Sequence, residues 1–180
     1  LDKKGSMIYE PAEDSFLLQK HIKTYIKPGM SVLDMGTGSG ILAQEAKKYT
    51  KNVIAVDINP EAVEHVKKQL SAIVSDLFQN VKGKFDLIIF NPPYLPEDPE
   101  EPQDSKQITS GGKQGYELLE KFFQEAKSHL NKDGKILFLY SSLTGDVETI
   151  PQKQGFIFSI LERQKIFFEE LVVALAEVQH

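Results

Sequence analysis

Residues 31–40 read SVLDMGTGSG, and this stretch decides the fold. Its first half is a short extended run containing Val32, Leu33 and Met35. Its second half places Gly36, Gly38 and Gly40 at every second position, just before the helical pattern of residues 41–49. Glycines between a strand and a helix let the backbone turn sharply and let a ligand approach the main chain. The same order recurs downstream. VIAVD at 53–57 is a second strand, and Asn59-Pro60 starts a helix over 61–70, with Pro60 in the first turn where its missing N–H costs nothing. Residues 72–74 are a very short strand, and FDLIIF at 85–90 is a nearly continuous apolar run, as in a strand buried on both faces. This alternation predicts a doubly wound α/β domain built on parallel strands.

The flanking segments fit that plan. Apolar spacing predicts a helix over 12–26, ended by Pro28-Gly29, and another over 114–130. KILFLY at 135–140 is a further buried strand, and 147–154 a short helix. Residues 156–165 and 171–178 are expected as two strands joined by 166–170 in an antiparallel hairpin.

Composition narrows the class. The 180 residues carry 21 Lys+Arg against 26 Asp+Glu, a formal charge of −5, with 41% hydrophobic and 26% charged residues. These are globular proportions for one domain with a real core. Without cysteine there is no disulfide framework and no Cys-based zinc site. No apolar run approaches the ~20 residues of a membrane helix, and the polar start lacks a signal-peptide core. Residues 1–6 are expected to be an expression remnant ahead of a start at Met7, and the chain to be cytoplasmic. The acidic balance argues against a surface built to grip phosphate backbones.

Three acids fall where chemistry is expected. Asp34 ends the first strand, Asp57 the second, and Asp76 follows the third. Open α/β sheets bind ligands outside the carboxyl ends of their strands, and a carboxylate ending the second strand suits a ribose diol. The loop lacks the Gly-Lys-Ser/Thr of a Walker motif, and GxGxG differs from the dinucleotide GxGxxG. An acid-lined crevice suits a cationic nucleoside better than a pyrophosphate.

Asn91-Pro92-Pro93-Tyr94 follows the buried strand. Two prolines make the loop rigid. The Asn91 side-chain carbonyl and the Pro92 backbone carbonyl are two acceptors for the N–H groups of a substrate –NH2, and Tyr94 offers a flat wall. His21, His65, His129 and His180 all lie outside these motifs, so no general base is evident.

Together, YEPAEDS (9–15), LDMGTGSG (33–40), VDINP (56–60), SD (75–76) and FNPPY (90–94) resemble the class I S-adenosylmethionine-dependent methyltransferases. Within them the chain is similar to the HemK-like NPPY enzymes that methylate the glutamine amide of the Gly-Gly-Gln motif in translation release factors, in their eukaryotic and archaeal branch. Gly111, Gly112, Gly115 and Tyr116 resemble that family's glycine stretch. The resemblance implies one Rossmann-like domain over 7–180, with a seven-stranded, mostly parallel sheet ending in an antiparallel hairpin. The implied cofactor is S-adenosyl-L-methionine. Asp14 and Ser15 would close over its methionine end. Asp34 and the backbone of Gly36, Gly38 and Gly40 would line the methionyl and ribose region. Asp57, with adjacent Ile58, would bind the ribose, and Asp76 with Leu77 would meet the adenine. Asn91, Pro92 and Tyr94 would hold the substrate amide, with Asn91 also bordering the cofactor. The implied partners are a release factor and a small zinc-binding activator that pairs along the edge between Ser71 and Ser75.

The chain departs from the family pattern in a compressed segment 61–76 and an unusually acidic stretch 95–110. Competing substrates are an exocyclic amine of adenine or cytosine and a lysine; the non-enzymatic alternative is a cofactor-binding subunit of a complex. The loop acids Glu97, Asp98, Glu100, Glu101 and Asp104 beside the expected entrance would repel phosphates and attract a basic protein.

Overall fold

The computed structural model describes residues 8–100 and 109–179. The expected remnant at 1–6, the loop acids Glu101 and Asp104, and His180 lie outside the described residues. The elements run α1 (Glu13–Tyr25), β1 (Ser31–Met35), α2 (Ile41–Lys47), β2 (Asn52–Asp57), α3 (Pro60–Lys67), β3 (Ser71–Val74) and β4 (Phe85–Phe90). They continue with α4 (Glu117–Ala126), β5 (Leu130–Ser141), α5 (Thr149–Lys153), β6 (Phe156–Ile166) and β7 (Glu169–Val178).

The seven strands form one sheet in the order β3-β2-β1-β4-β5-β7-β6. From β3 to β5 neighbours are parallel; β7 runs antiparallel to β5, and β6 to β7. The chain winds outward from β1 to β3, then crosses back to β4 on the other side of β1. The order therefore reverses between β1 and β4, and a crevice opens at the carboxyl ends of those strands. The expected seven-stranded, mostly parallel sheet with a C-terminal antiparallel hairpin is the fold observed.

Strand alternation explains the two cores. In β4, Ile88 and Phe90 face one layer while Leu87 and Ile89 face the other. Leu17, Leu18 and Ile22 of α1, Leu42 and Ala46 of α2 and Val63 of α3 cover the second face. The first face is aromatic. Phe122 of α4 lies 4.3 Å from Phe90 and 5.2 Å from Phe123, and Phe123 meets Phe138 edge-on at 5.1 Å. This stack clamps the last residue of β4 and so fixes where Asn91 begins.

Element ends differ from the sequence expectation for local reasons. The helix expected over 114–130 begins only at Glu117, after Gly115 at φ 92, and its last turn tightens into a 3-10 turn at Lys127–His129. β5 starts at Leu130 rather than 135, because Leu130 pairs with Phe85 before the register shifts. Between β6 and β7 the expected five-residue connection shrinks to Phe167-Phe168, since Ile166 already pairs with Glu169.

Phe122 is wholly buried and contacts both Phe90 and Phe123. Replacing it by alanine removes the aromatic and leaves a cavity, which costs about 3–5 kcal/mol. Urea denaturation of Phe122→Ala should show a midpoint lowered accordingly with an unchanged slope; a midpoint within error of wild type contradicts this packing role.

Candidate functional site

A cleft of about 710 Å³ lies at the carboxyl ends of β1, β2 and β4. A larger hollow, about 860 Å³, sits outside β3 at the sheet edge, but strand-end polar groups converge only on the first.

The glycine loop forms one wall. Gly36, Gly38 and Gly40 have φ of 65, 51 and 84, values L side chains rarely adopt. At Gly40 a Cβ would stand 2.8 Å from Val66 Cγ2, so the loop rests directly on α3. The loop is tied to β2: Thr37 N–H donates to the Val56 carbonyl at 2.8 Å, and Gly38 N–H to Asp57 Oδ2 at 2.8 Å. Asp57 Oδ1 accepts the Asn59 N–H at 2.9 Å. Each Asp57 oxygen thus takes one backbone N–H and retains acceptor capacity beside the cleft.

Asp34 is placed differently from its expected position on the cleft. It is wholly buried beneath the loop, where Oδ2 accepts from the Thr37 hydroxyl at 2.6 Å and the Ala43 N–H at 3.1 Å. Its Oδ1 is buried without a partner among the described residues. Burial pushes its carboxyl up to about 7, the Asp57 charge adds to this, and the two hydrogen bonds oppose it. Asp34 holds the loop from behind. Ser15 is likewise buried beside Asp14, and Gly40 faces α3.

The opposite wall joins α1 to the NPPY loop. Asp14 is nearly buried in the first turn of α1. It accepts from the Tyr9 hydroxyl at 2.7 Å, its neighbour Ser15 N–H at 2.6 Å and Asn91 Nδ2 at 3.1 Å. Asn91 Nδ2 also reaches Ser15 Oγ at 3.5 Å. An ionised carboxylate only accepts, so the Asn91 nitrogen must face Asp14. Asn91 Oδ1 is thereby left buried with no partner among the described residues, in a residue that lines the cleft. An unsatisfied buried acceptor costs about 1–3 kcal/mol, which a ligand N–H would recover.

Tyr9 and Tyr94 line the same region. Burial raises both phenols far above their usual range; the Asp14 charge adds to each, and Glu169 also acts on Tyr94. Both stay protonated at neutral pH, and neither serves as a base. No histidine among the described residues lines the cleft: His21 pairs with Glu162 at 2.7 Å, and His129 stacks on Phe78 at 4.5 Å.

Of the other expected residues, Gly36, Gly38, Ile58, Asp76, Leu77, Pro92 and Tyr94 line the cleft. Asp76 also pairs with Lys121 at 3.1 Å. Sequence reasoning assigned no role to Tyr9, Met35, Phe90, Thr109 or Ser110, which line it too. Tyr9 stood inside the quoted YEPAEDS motif. Ser110 arrives through a lone parallel bridge to Leu95. The signal there was Gly111, whose Cβ would stand 2.7 Å from the Pro93 carbonyl and 2.1 Å from that of Gly115. Only glycine lets this segment pack against the NPPY backbone.

Among the described residues no cluster of acids or histidines could hold a metal, and no helix is long and apolar enough to cross a membrane.

The model of the methyltransferase small domain matches residues 12–165. A Methanocaldococcus jannaschii protein, provisionally named a protein N5-glutamine methyltransferase, is 44% identical over 92% of this chain and 89% of its own length. A release factor glutamine methyltransferase of Aquifex aeolicus is 29% identical over 96% of this chain and 68% of its own. Among solved structures, the E. cuniculi Mtq2-Trm112 complex, described as methylating the termination factor eRF1, aligns with a TM-score of 0.79. That match has 24% identity over 96% of this chain and 99% of the other, and it bears on the fold.

Asp34 yields a pH test. Its folded pKa lies above the ordinary 3.8, so between about 4 and 7 the fold holds a proton that the unfolded chain has released. Stability therefore falls as pH rises through that window. In thermal melts, Asp34→Asn should gain on wild type progressively from about pH 4 to about pH 7, and by a constant margin above it. Parallel curves contradict the buried, proton-holding Asp34.

Proposed function

The chain belongs to the methyltransferase small-domain family, and on that footing we propose that it methylates the side-chain amide nitrogen of a glutamine in a translation release factor, using S-adenosyl-L-methionine. The observation that carries the substrate assignment is the unpartnered Asn91 Oδ1, held in place by Asp14.

The cleft fits the cofactor. Asp57 keeps acceptor capacity for two ribose hydroxyls. Ile58, 65% exposed, and Leu77 give apolar surface for a purine next to Asp76. The carboxylates of Asp14 and Asp57 favour a cationic ligand. When bound, S-adenosylmethionine supplies an electrophilic methyl group on a sulfonium.

The remaining work falls to residues of this chain. A glutamine amide nitrogen is a weak nucleophile because its lone pair is shared with the carbonyl. Asn91 Oδ1 and the Pro92 carbonyl accept its two N–H groups, which aims the nitrogen and favours the positive charge that builds on it. Tyr94 walls the planar amide, and positioning supplies much of the remaining barrier reduction. With no histidine among the described residues in the cleft and both tyrosines held protonated, the surplus proton leaves to water.

Release-factor specificity is supported by the names of the relatives and by charge. Glu97, Asp98 and Glu100 are exposed on the loop leaving Tyr94, which favours a basic protein over a phosphate backbone. We also assign a small partner to the free edge of β3. Val74 is 41% exposed there, and the adjoining hollow is lined by Ile54, Leu70, Ala72, Ile73, Lys67 and Lys82. A strand added along Ser71–Val74 would cover this apolar surface and meet its lysines with acids. With no cysteine in this chain, any zinc in that assembly is held by the partner.

The test uses labelled S-adenosylmethionine with purified release factor or duplex DNA, with and without the small subunit. Label is expected as methylglutamine in the Gly-Gly-Gln motif, not in DNA. Asn91→Ala should lower turnover by about 100-fold or more, with cofactor affinity within a few-fold. Equal collapse of cofactor binding would remove Asn91 from the substrate side.

A further inference from the structure

Phe167 and Phe168 are 97% and 98% exposed, the most exposed large apolar side chains among the described residues. They are the two central residues of the β6–β7 hairpin, because Ile166 and Glu169 on either side are paired. A two-residue hairpin turn favours Asn-Gly or Gly-X, since its backbone needs positive φ. Phe167 sits at φ 32, where an L side chain is strained. Local folding therefore disfavours phenylalanine here twice, by backbone and by exposure. Strain and exposed apolar surface that the fold does not use point to a binding role.

The position of the turn says for what. Phe90, just before Asn91, is level with Phe138 of β5, and Phe138 with Ala174 of β7. Phe168 lies six residues before Ala174 along β7, so the turn stands about 20 Å beyond the level of Phe90 and about 10 Å beyond Ser141 at the end of β5, on the cleft side of the sheet. Its base is tied in: the Ser141 hydroxyl donates to Glu169, and the Ser142 N–H to the Glu170 carbonyl at 2.9 Å. Glu169 is close enough for its charge to raise the Tyr94 phenol. Leu143, 46% exposed, follows on the loop leaving β5. The cleft entrance thus has the acidic loop of Glu97, Asp98 and Glu100 beyond Tyr94, and an apolar finger of two phenylalanines on the β7 side.

We infer that the Phe167-Phe168 turn is a docking finger for the protein substrate, engaging an apolar surface of that protein next to the segment carrying the glutamine. The inference rests on the proposed reaction and goes beyond it, locating substrate recognition outside the catalytic loop. Continuity with the cleft through Glu169 beside Tyr94, and the exposed acids Glu97, Asp98 and Glu100 on the loop leaving Tyr94, select a basic protein with an apolar patch. A membrane or a second copy of this chain lacks that link to the cleft.

The experiment compares wild type with F167N/F168G, a turn sequence the hairpin prefers, using intact release factor and a short Gly-Gly-Gln peptide as substrates. For the intact factor KM should rise about tenfold or more with kcat nearly unchanged. Peptide kinetics should stay the same, and the melting temperature should hold or rise. Unchanged kinetics on the intact factor overturn the inference, as does an equal loss on the peptide, which would put the turn in the catalytic site. Loss of binding to phosphatidylglycerol vesicles, or conversion of a dimer to monomer, with unchanged kinetics would assign the finger to those occupants instead. If wild type methylates no release factor, the proposed reaction fails and the inference with it. If wild type methylates and the double variant matches it, only the inference fails.

Discussion

The hydrogen bond from Asn91 Nδ2 to Asp14 is the contact on which the site depends. It spans 77 residues of sequence and joins the first turn of α1 to the end of the central strand β4. Because Asp14 accepts and cannot donate, the bond settles which way the Asn91 amide points. Tyr9 and the Ser15 N–H hold Asp14 in turn, so its charge is shared among donors although it is nearly buried. The exposed consequence is chemical: one amide oxygen without a partner, in the wall of a cleft.

The rest of the fold supports that contact at both ends. α1 is held through Leu17, Leu18 and Ile22 in one core, and β4 through Phe90 in the other. The reversal of strand order between β1 and β4 opens the crevice, and the glycine loop, braced from below by Asp34, shapes its far wall. The backbone of Pro93 and Tyr94 is packed by Gly111 and Gly115, which only residues without a Cβ could bring so near. Rigidity at Asn91 is therefore a property of two cores and a glycine contact, beyond the motif itself.

Much of this was legible in the sequence. β1 and β4 fall at the expected residues because their apolar runs are buried on both faces, a signal that needs no distant partner. The strand-end acids and NPPY located the cleft. Less local features were harder to see. Asp34 reads as a site residue by position, yet its side chain turns inward to Thr37 and Ala43. Leu130 reads as the end of the helix expected over 114–130, yet it already pairs with Phe85 at the start of β5. Tyr9 and Ser110 reach the cleft through contacts far along the chain or through an isolated bridge, and no periodicity announces either. The Phe167-Phe168 turn falls inside the connection expected at 166–170; what the sequence did not show is how tight it is, because the pairing of Ile166 with Glu169 leaves only these two side chains to project into solvent.

The most direct test of this account is a crystal structure with S-adenosylhomocysteine and a Gly-Gly-Gln peptide bound together. The account predicts the glutamine amide nitrogen within about 2.7–3.2 Å of Asn91 Oδ1, with Asn91 Nδ2 still on Asp14. A glutamine bound elsewhere, or an Asn91 amide turned to present its nitrogen to the substrate, would contradict it.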